Sequence, residues 1–136
     1  MSLQFSNRSE EKLSQCSYGI QAVMRKSLAM EIMDFSIVEG YRDEQKQTEY
    51  FLSGQSKVEW PDGKHNTVPS KAVDAVPYVA GSLSWNKLHC CVLAGIILTV
   101  AKTLSVKIRW GGNWDMDQEP ITDQYFQDLV HFEELD

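Results

Sequence analysis

His65-Asn66-Thr67-Val68-Pro69-Ser70-Lys71-Ala72-Val73-Asp74 passes from loop to strand within a few residues, and this passage decides how the chain is read. Pro69 and the polar residues around it are turn signals. Ala72-Val73-Asp74-Ala75-Val76 then reads as an extended segment that places valine and aspartate side chains on opposite faces. A second segment, Asp128-Leu129-Val130-His131-Phe132-Glu133, again sets a histidine beside carboxylates, in a chain with three histidines in all. Two imidazoles and one carboxylate suit a catalytic zinc, which takes three protein ligands and keeps a fourth position for water. A further carboxylate beside such a centre has the chemistry of a general base. The residues alone make the chain a candidate metallohydrolase.

Outward from these segments the pattern alternates between helices and short strands. Ser9 is the expected N-cap of a first helix, with Glu10 and Glu11 suiting its start. Leu13, Ile20, Val23, Met24, Leu28 and Ile32 continue a helical period in two pieces, broken near Ser17-Tyr18-Gly19. Asp34 to Val38 alternates like a strand. Asp43 to Leu52 reads as a polar helix stopped by Gly54, and residues 56–70 as a loop. Trp85 to Leu104 is a long apolar helix capped near Ser84. Val106 to Trp110 is a strand ended by Gly111-Gly112. An amphipathic turn from Thr122 to Leu129 and a last strand from Val130 to Glu133 follow. The expected fold is α+β, a small, mostly antiparallel sheet flanked by helices, forming one domain over residues 1–136.

Composition narrows the function classes. Hydrophobic residues make up 43% and charged residues 24% of 136, values of an ordinary globular chain. A formal net charge of -6 favours neither nucleic acid nor anionic membrane as partner. Three cysteines give no disulfide framework, and Cys90 and Cys91 sit in an apolar run as small core residues. The N-terminal residues lack a basic region followed by an apolar stretch, so synthesis in the cytoplasm is expected. The run from Cys90 to Ala101 is about half of what a bilayer span needs, so no membrane insertion is expected. A monomer is the expected state.

Spacing leaves several roles open. His131, between Val130 and Phe132, is either a ligand or a half-buried sheet histidine bonded to a carbonyl. His89, at the start of the apolar helix without a nearby carboxylate, is left out of the site. Glu133 shares a face with His131 on an extended segment, whereas Asp128 lies three positions back, in the preceding turn. Either is a candidate base or a partner that orients the imidazole. Arg42 is a candidate stabiliser of an oxyanion or a substrate carboxylate; the plainer reading is a surface pair with Glu44 or Glu49. Trp110-Gly111-Gly112-Asn113-Trp114-Asp115 is either a cleft wall or a tight core turn.

Three separated motifs then carry a resemblance: His65-Asn66-Thr67-x-Pro69-Ser70-x-Ala72-Val73-Asp74, Trp110-Gly111-Gly112-x-Trp114-Asp115 and Asp128-Leu129-x-His131-Phe132-Glu133. In this order they resemble phage-type L-alanyl-D-glutamate peptidases, of the zinc D-Ala-D-Ala carboxypeptidase and dipeptidase family that cuts peptidoglycan peptides. Gly40-Tyr41-Arg42, Gln47 and Gly54-x-Ser56-Lys57-Val58 match its upstream segment. The resemblance implies Zn2+ held by His65, Asp74 and His131, Asp128 as catalytic base with Glu133 in support, and Arg42 stabilising the scissile carbonyl. It makes Gln47 a packing or orienting neighbour. Family members carry Asp, Pro and often Ser where Asn113, Val130 and Gly63 stand, and none of these departures removes a ligand.

The implied function is hydrolysis of a peptidoglycan stem peptide by a phage endolysin acting on a thin Gram-negative wall after release from the cell. A D-Ala-D-Ala carboxypeptidase on the same scaffold is the nearest rival. A non-catalytic wall-binding or virion module is the rival of another class.

Overall fold

The structure, a computed structural model, describes residues 2–136. Two short helices, α1 (Asn7–Ser14) and α2 (Tyr18–Ala29), precede strand β1 (Phe35–Glu39) and helix α3 (Glu44–Leu52). A single 3-10 turn (Lys64–Asn66) leads into β2 (Ala72–Val79), which hairpins to β3 (Ser82–Leu83). Helix α4 (Lys87–Leu104), β4 (Ile108–Gly111) and β5 (Asp128–Glu134) complete the order. The four helices and the small antiparallel sheet follow the sequence pattern, but α2 stops at Ala29, short of Ile32, and β3 is an addition the pattern did not show.

Local chemistry sets the boundaries. Ser6, not Ser9, caps α1 by accepting from the Ser9 N–H at 3.1 Å, while the buried Ser9 hydroxyl accepts from the Ile37 N–H and ties the helix to β1. Ser17 caps α2, at the predicted break, and Asp43 caps α3. Asn86 caps α4 two residues after the expected cap, Ser84, which instead bonds His89 Nδ1 at 2.6 Å. Gly54 follows α3 at φ +83°, a left-handed value that glycine adopts without a Cβ penalty.

The sheet runs β1-β2-β5-β4, every pair antiparallel, with β3 added to β2. One face buries Phe35, Ile37, Val73, Ala75, Trp110 and Phe132 against Leu13, Ile20, Met24, Leu93 and Ile97 of the helices. α4 is apolar over 18 residues and long enough to cross a bilayer, but Cys90, Leu93, Ala94, Ile97, Val100 and Ala101 are buried in the fold. Period 2 along β2 sends Asp74, Val76 and Tyr78 to the other face. On that face Asp74 stands directly opposite His131 in the β2–β5 register.

β5 departs from regular pairing where the site needs it. Trp110 pairs with Phe132, yet the next residue, Gly111, pairs with Asp128. Residues three apart on a regular strand face opposite sides; this irregularity instead brings Asp128 to the side of His131. Asp128 thus begins the strand and does not lie in the preceding turn. Gly111 permits it, because a Cβ there would collide with the Asp128 carbonyl oxygen.

Candidate metal centre

Three segments bring His65, Asp74 and His131 together, with one donor atom from each within 4.8 Å of the others. Asp74 Oδ1 lies 3.2 Å from His65 Nε2 and 3.6 Å from His131 Nδ1. The far nitrogen of each ring is already engaged. His65 Nδ1 is 2.7 Å from the Gly40 carbonyl, which fixes the proton there. His131 Nε2 is 2.8 Å from Glu133 Oε1. Both rings therefore turn their other nitrogen toward the same carboxylate oxygen, one through Nε2 and the other through Nδ1.

His65 is held by backbone as well as ring. Its carbonyl accepts the Arg42 N–H at 2.8 Å, and the Asn66 amide donates to the Arg42 carbonyl at 3.0 Å. Gln47, fully buried, accepts from Arg42 and Asn66 and donates to the Val58 carbonyl and the Ser56 hydroxyl. It is the orienting neighbour that the resemblance implied, pinning α3 to the loop that carries His65.

Arg42 is only 8% exposed and makes no pair with Glu44 or Glu49. It bonds Glu39 through Nε and Gln47 through NH1 (3.0 Å), and its NH2 lies 3.8 Å from Asp74 Oδ2. The surface reading fails because residues 39–42 turn inward along the cleft. Lys46 caps the other Glu39 oxygen at 2.8 Å, so Glu39 is neutralised from two sides.

Asp128 places Oδ2 3.9 Å from His131 Nδ1. Burial raises its carboxyl, as does the charge of Asp74, against the lowering effect of His131. Burial would also raise Asp74, but the charge of His65 and hydrogen bonds from both histidines hold it well below the ordinary carboxylate range. For His131, burial lowers the imidazolium, yet Asp74 and Glu133 outweigh it and raise the pKa to about 9. The carboxylates thus favour positive charge beside Asp74. Converging lone pairs and a concentration of carboxylates are what a divalent cation needs, and two nitrogens with one oxygen suit zinc.

Sequence reasoning overlooked Arg109. It lies opposite Glu133 in the β4–β5 register and bonds Glu133 Oε2 at 2.7 Å. Burial would raise the Glu133 carboxyl, but His131 and Arg109 hold it at about 2. The signal was available only through strand pairing. His89, by contrast, stays outside the cluster, bonded to Ser84.

A cleft of about 390 Å³ opens over these residues, lined by Lys57, Lys64, Trp114 and Phe126 besides the cluster itself. Trp114 stacks on Phe126 with ring centroids 6.1 Å apart and lies 5.6 Å from the His131 ring. Trp110 is buried, its indole donating to the Leu129 carbonyl. The glycine-rich segment is thus both a core turn, at Trp110, and a cleft wall, at Trp114.

This donor set, with a carboxylate and a guanidinium beside it in an open cleft, has the composition of a hydrolytic metal centre. The family model of phage L-alanyl-D-glutamate peptidases matches residues 1–135, and the chain belongs to that family. The L-alanyl-D-glutamate peptidase of Escherichia phage T5 is 29% identical over 116 residues, covering 85% of this chain and 84% of that protein. The crystal structure of the Serratia marcescens L-Ala D-Glu endopeptidase ChiX superposes with a TM-score of 0.80. It is 27% identical and is matched over 98% of this chain and 91% of its own.

Proposed function

We propose that the protein is a zinc-dependent endopeptidase that cuts the L-alanyl–D-glutamate bond of peptidoglycan stem peptides, working as a phage endolysin. Residues 1–136 form its one catalytic domain. The carrying observation is the convergence of His65 Nε2, Asp74 Oδ1 and His131 Nδ1 in a chain of this family.

His65, Asp74 and His131 would hold the ion. When bound, zinc supplies Lewis acidity that polarises a carbonyl and makes water a competent nucleophile near neutral pH. Asp128, beside His131, is the base that takes the proton from the attacking water and hands it to the leaving amine of D-glutamate. Its carboxyl, raised by burial, suits both halves of that task. Arg42, fixed by Glu39 and Gln47, presents its guanidinium beside Asp74, where it meets the negative charge developing on the scissile oxygen. Glu133 and Arg109 hold the His131 ring, while Gly40 holds that of His65.

The test is digestion of purified muropeptides with mass spectrometry of the products, alongside metal analysis of the protein. A new D-glutamate amino terminus and about one zinc per chain are expected. Released D-alanine with no new D-glutamate terminus would overturn the bond assignment, and full activity without any bound metal would overturn the mechanism.

A further inference from the structure

The cleft over the metal centre does not end there. A second lobe of about 610 Å³ meets the first at Arg42 and Asp128 and continues along the open face of β1 and β2. It ends on Tyr78, Leu83 and Trp85. The β2–β3 hairpin builds this shelf: Tyr78 and Leu83 are cross-strand partners, and the Tyr78 hydroxyl is tethered to the Gly81 carbonyl at 3.0 Å. Trp85 is 63% exposed, and Tyr78 and Leu83 are each about two-fifths exposed. Three large apolar side chains facing one cleft exceed what a solvated hairpin requires.

The two lobes differ in their walls. In the first, Lys57 and Lys64 have no carboxylate partner among the described residues, and Lys57 lies 5.6 Å from the Phe126 ring centroid. That lobe fits the acidic, D-glutamate side of a stem peptide. In the second, Lys46 is committed to Glu39, Arg8 lies on the α1 side, and the wall at the hairpin is aromatic and aliphatic. A pyranose ring has the matching chemistry. Its C–H face stacks on an indole or phenol ring, while its hydroxyl and acetamido groups reach polar neighbours such as Ser36 and Gln55 on the same lobe.

Reach agrees with chemistry. Tyr78 is four residues beyond Asp74 on β2, about 13 Å along the strand. In peptidoglycan, the alanine is joined through a lactyl group to its sugar. Those two residue-length units put the ring roughly 7 Å from the scissile carbonyl, and the adjoining sugar lies further out.

Resting on the proposed peptidase reading, we infer that Tyr78, Leu83 and Trp85 form a subsite for the glycan strand, holding the sugar that adjoins the one to which the peptide is attached. The alanyl–glutamate bond is then cut with the glycan on the shelf and the acidic peptide along Lys57 and Lys64.

The experiment compares kcat/KM on a stem peptide carrying its disaccharide with that on the same peptide freed of sugar. The wild-type protein is expected to prefer the sugar-bearing substrate. Trp85→Ala is expected to reduce that preference about tenfold, the scale of losing one aromatic anchor. Trp85→Phe retains most of it, and Tyr18→Ala, on the exposed start of α2, leaves the ratio at the wild-type value. Because Trp85 is mostly exposed, its replacement is expected to leave the melting temperature in place, and Trp85→Gln provides a second variant. A wild-type ratio near one, or equal loss on both substrates in Trp85→Ala and Trp85→Gln, overturns the subsite. If the wild-type protein cuts neither substrate, the peptidase reading itself fails.

Discussion

Replacing Glu133 by glutamine keeps the shape of a side chain that is only 4% exposed and changes one oxygen to an amide nitrogen. Both neighbours of Glu133 donate to it: His131 Nε2 at 2.8 Å and Arg109 NH2 at 2.7 Å. The amide has one acceptor for two donors. If its oxygen turns to Arg109, its NH2 faces His131 Nε2 and drives the imidazole proton to Nδ1, the atom that must meet the metal. If the oxygen turns to His131, two buried N–H groups oppose each other, and a charge-assisted bond worth about 1.5–3 kcal/mol is lost. Removing an orienting partner of a ligating histidine costs about 10–100-fold in metal affinity or activity, which is roughly 1.4–2.7 kcal/mol. Glu133→Gln is therefore expected to bind zinc at least tenfold more weakly in competition with a chromogenic chelator. Glu134→Gln, whose side chain meets Ser17 instead, is expected to match wild type. Wild-type zinc affinity and activity in Glu133→Gln would refute the orienting role.

Four further outcomes follow from the geometry. Asp128→Asn is expected to lower kcat by about 10²–10⁴-fold while elemental analysis finds the zinc content unchanged; loss of metal as well would assign Asp128 to binding. Gly111→Ala forces β4 away from the Asp128 carbonyl, and overpacking of about 1–3 kcal/mol should show as a lowered melting temperature together with lost activity. Removing zinc by chelation should abolish hydrolysis. Refilling the site at an ion concentration a hundredfold above Kd should add about 2.7 kcal/mol of stability, a rise on the order of 10 °C in a thermal melt. Burial first, then the charge of Asp74, pushes the Cys16 thiol from 9.0 up to about 12. Its stabilising contribution is complete below pH 9.0 and is lost as pH rises toward 12. Iodoacetamide at pH 9 should therefore leave Cys16 unmodified in the folded protein and label it once denatured, as peptide mass mapping will show.

Much of the candidate site was legible in the sequence, for a physical reason. Period-2 alternation put Asp74 on one face of its strand, and that face is fixed by the burial of Val73 and Ala75 on the other. The histidine carrying loop was marked by its turn residues. What stayed hidden depends on pairing between distant segments. Asp128 reaches His131 only through the irregularity opposite Gly111, which periodicity does not encode. Arg109 supports Glu133 only because β4 lies beside β5 in one register. Arg42 looked like a surface residue because its neighbours Asp43 and Glu44 are solvated, whereas the inward turn at Gly40 comes from its packing against the Lys12 carbonyl and Cys16. Local signals and the resemblance marked His65, Asp74 and His131 as candidate ligands; long-range register supplies the groups around them.

β5 is made after β4 yet lies between β2 and β4, so the sheet closes only when this segment inserts between strands already present. Most of its pairing joins residues far apart in sequence, the kind of contact that slows folding. The same segment carries His131, Asp128 and Glu133. On the proposed roles, folding cooperativity and chemistry would share one threshold: a chain whose β5 has not docked would lack a metal donor, the proton acceptor and the brace of the imidazole at once. Hydrolytic activity is therefore expected to switch on with the closure of the sheet and not to rise in grades with partial folding.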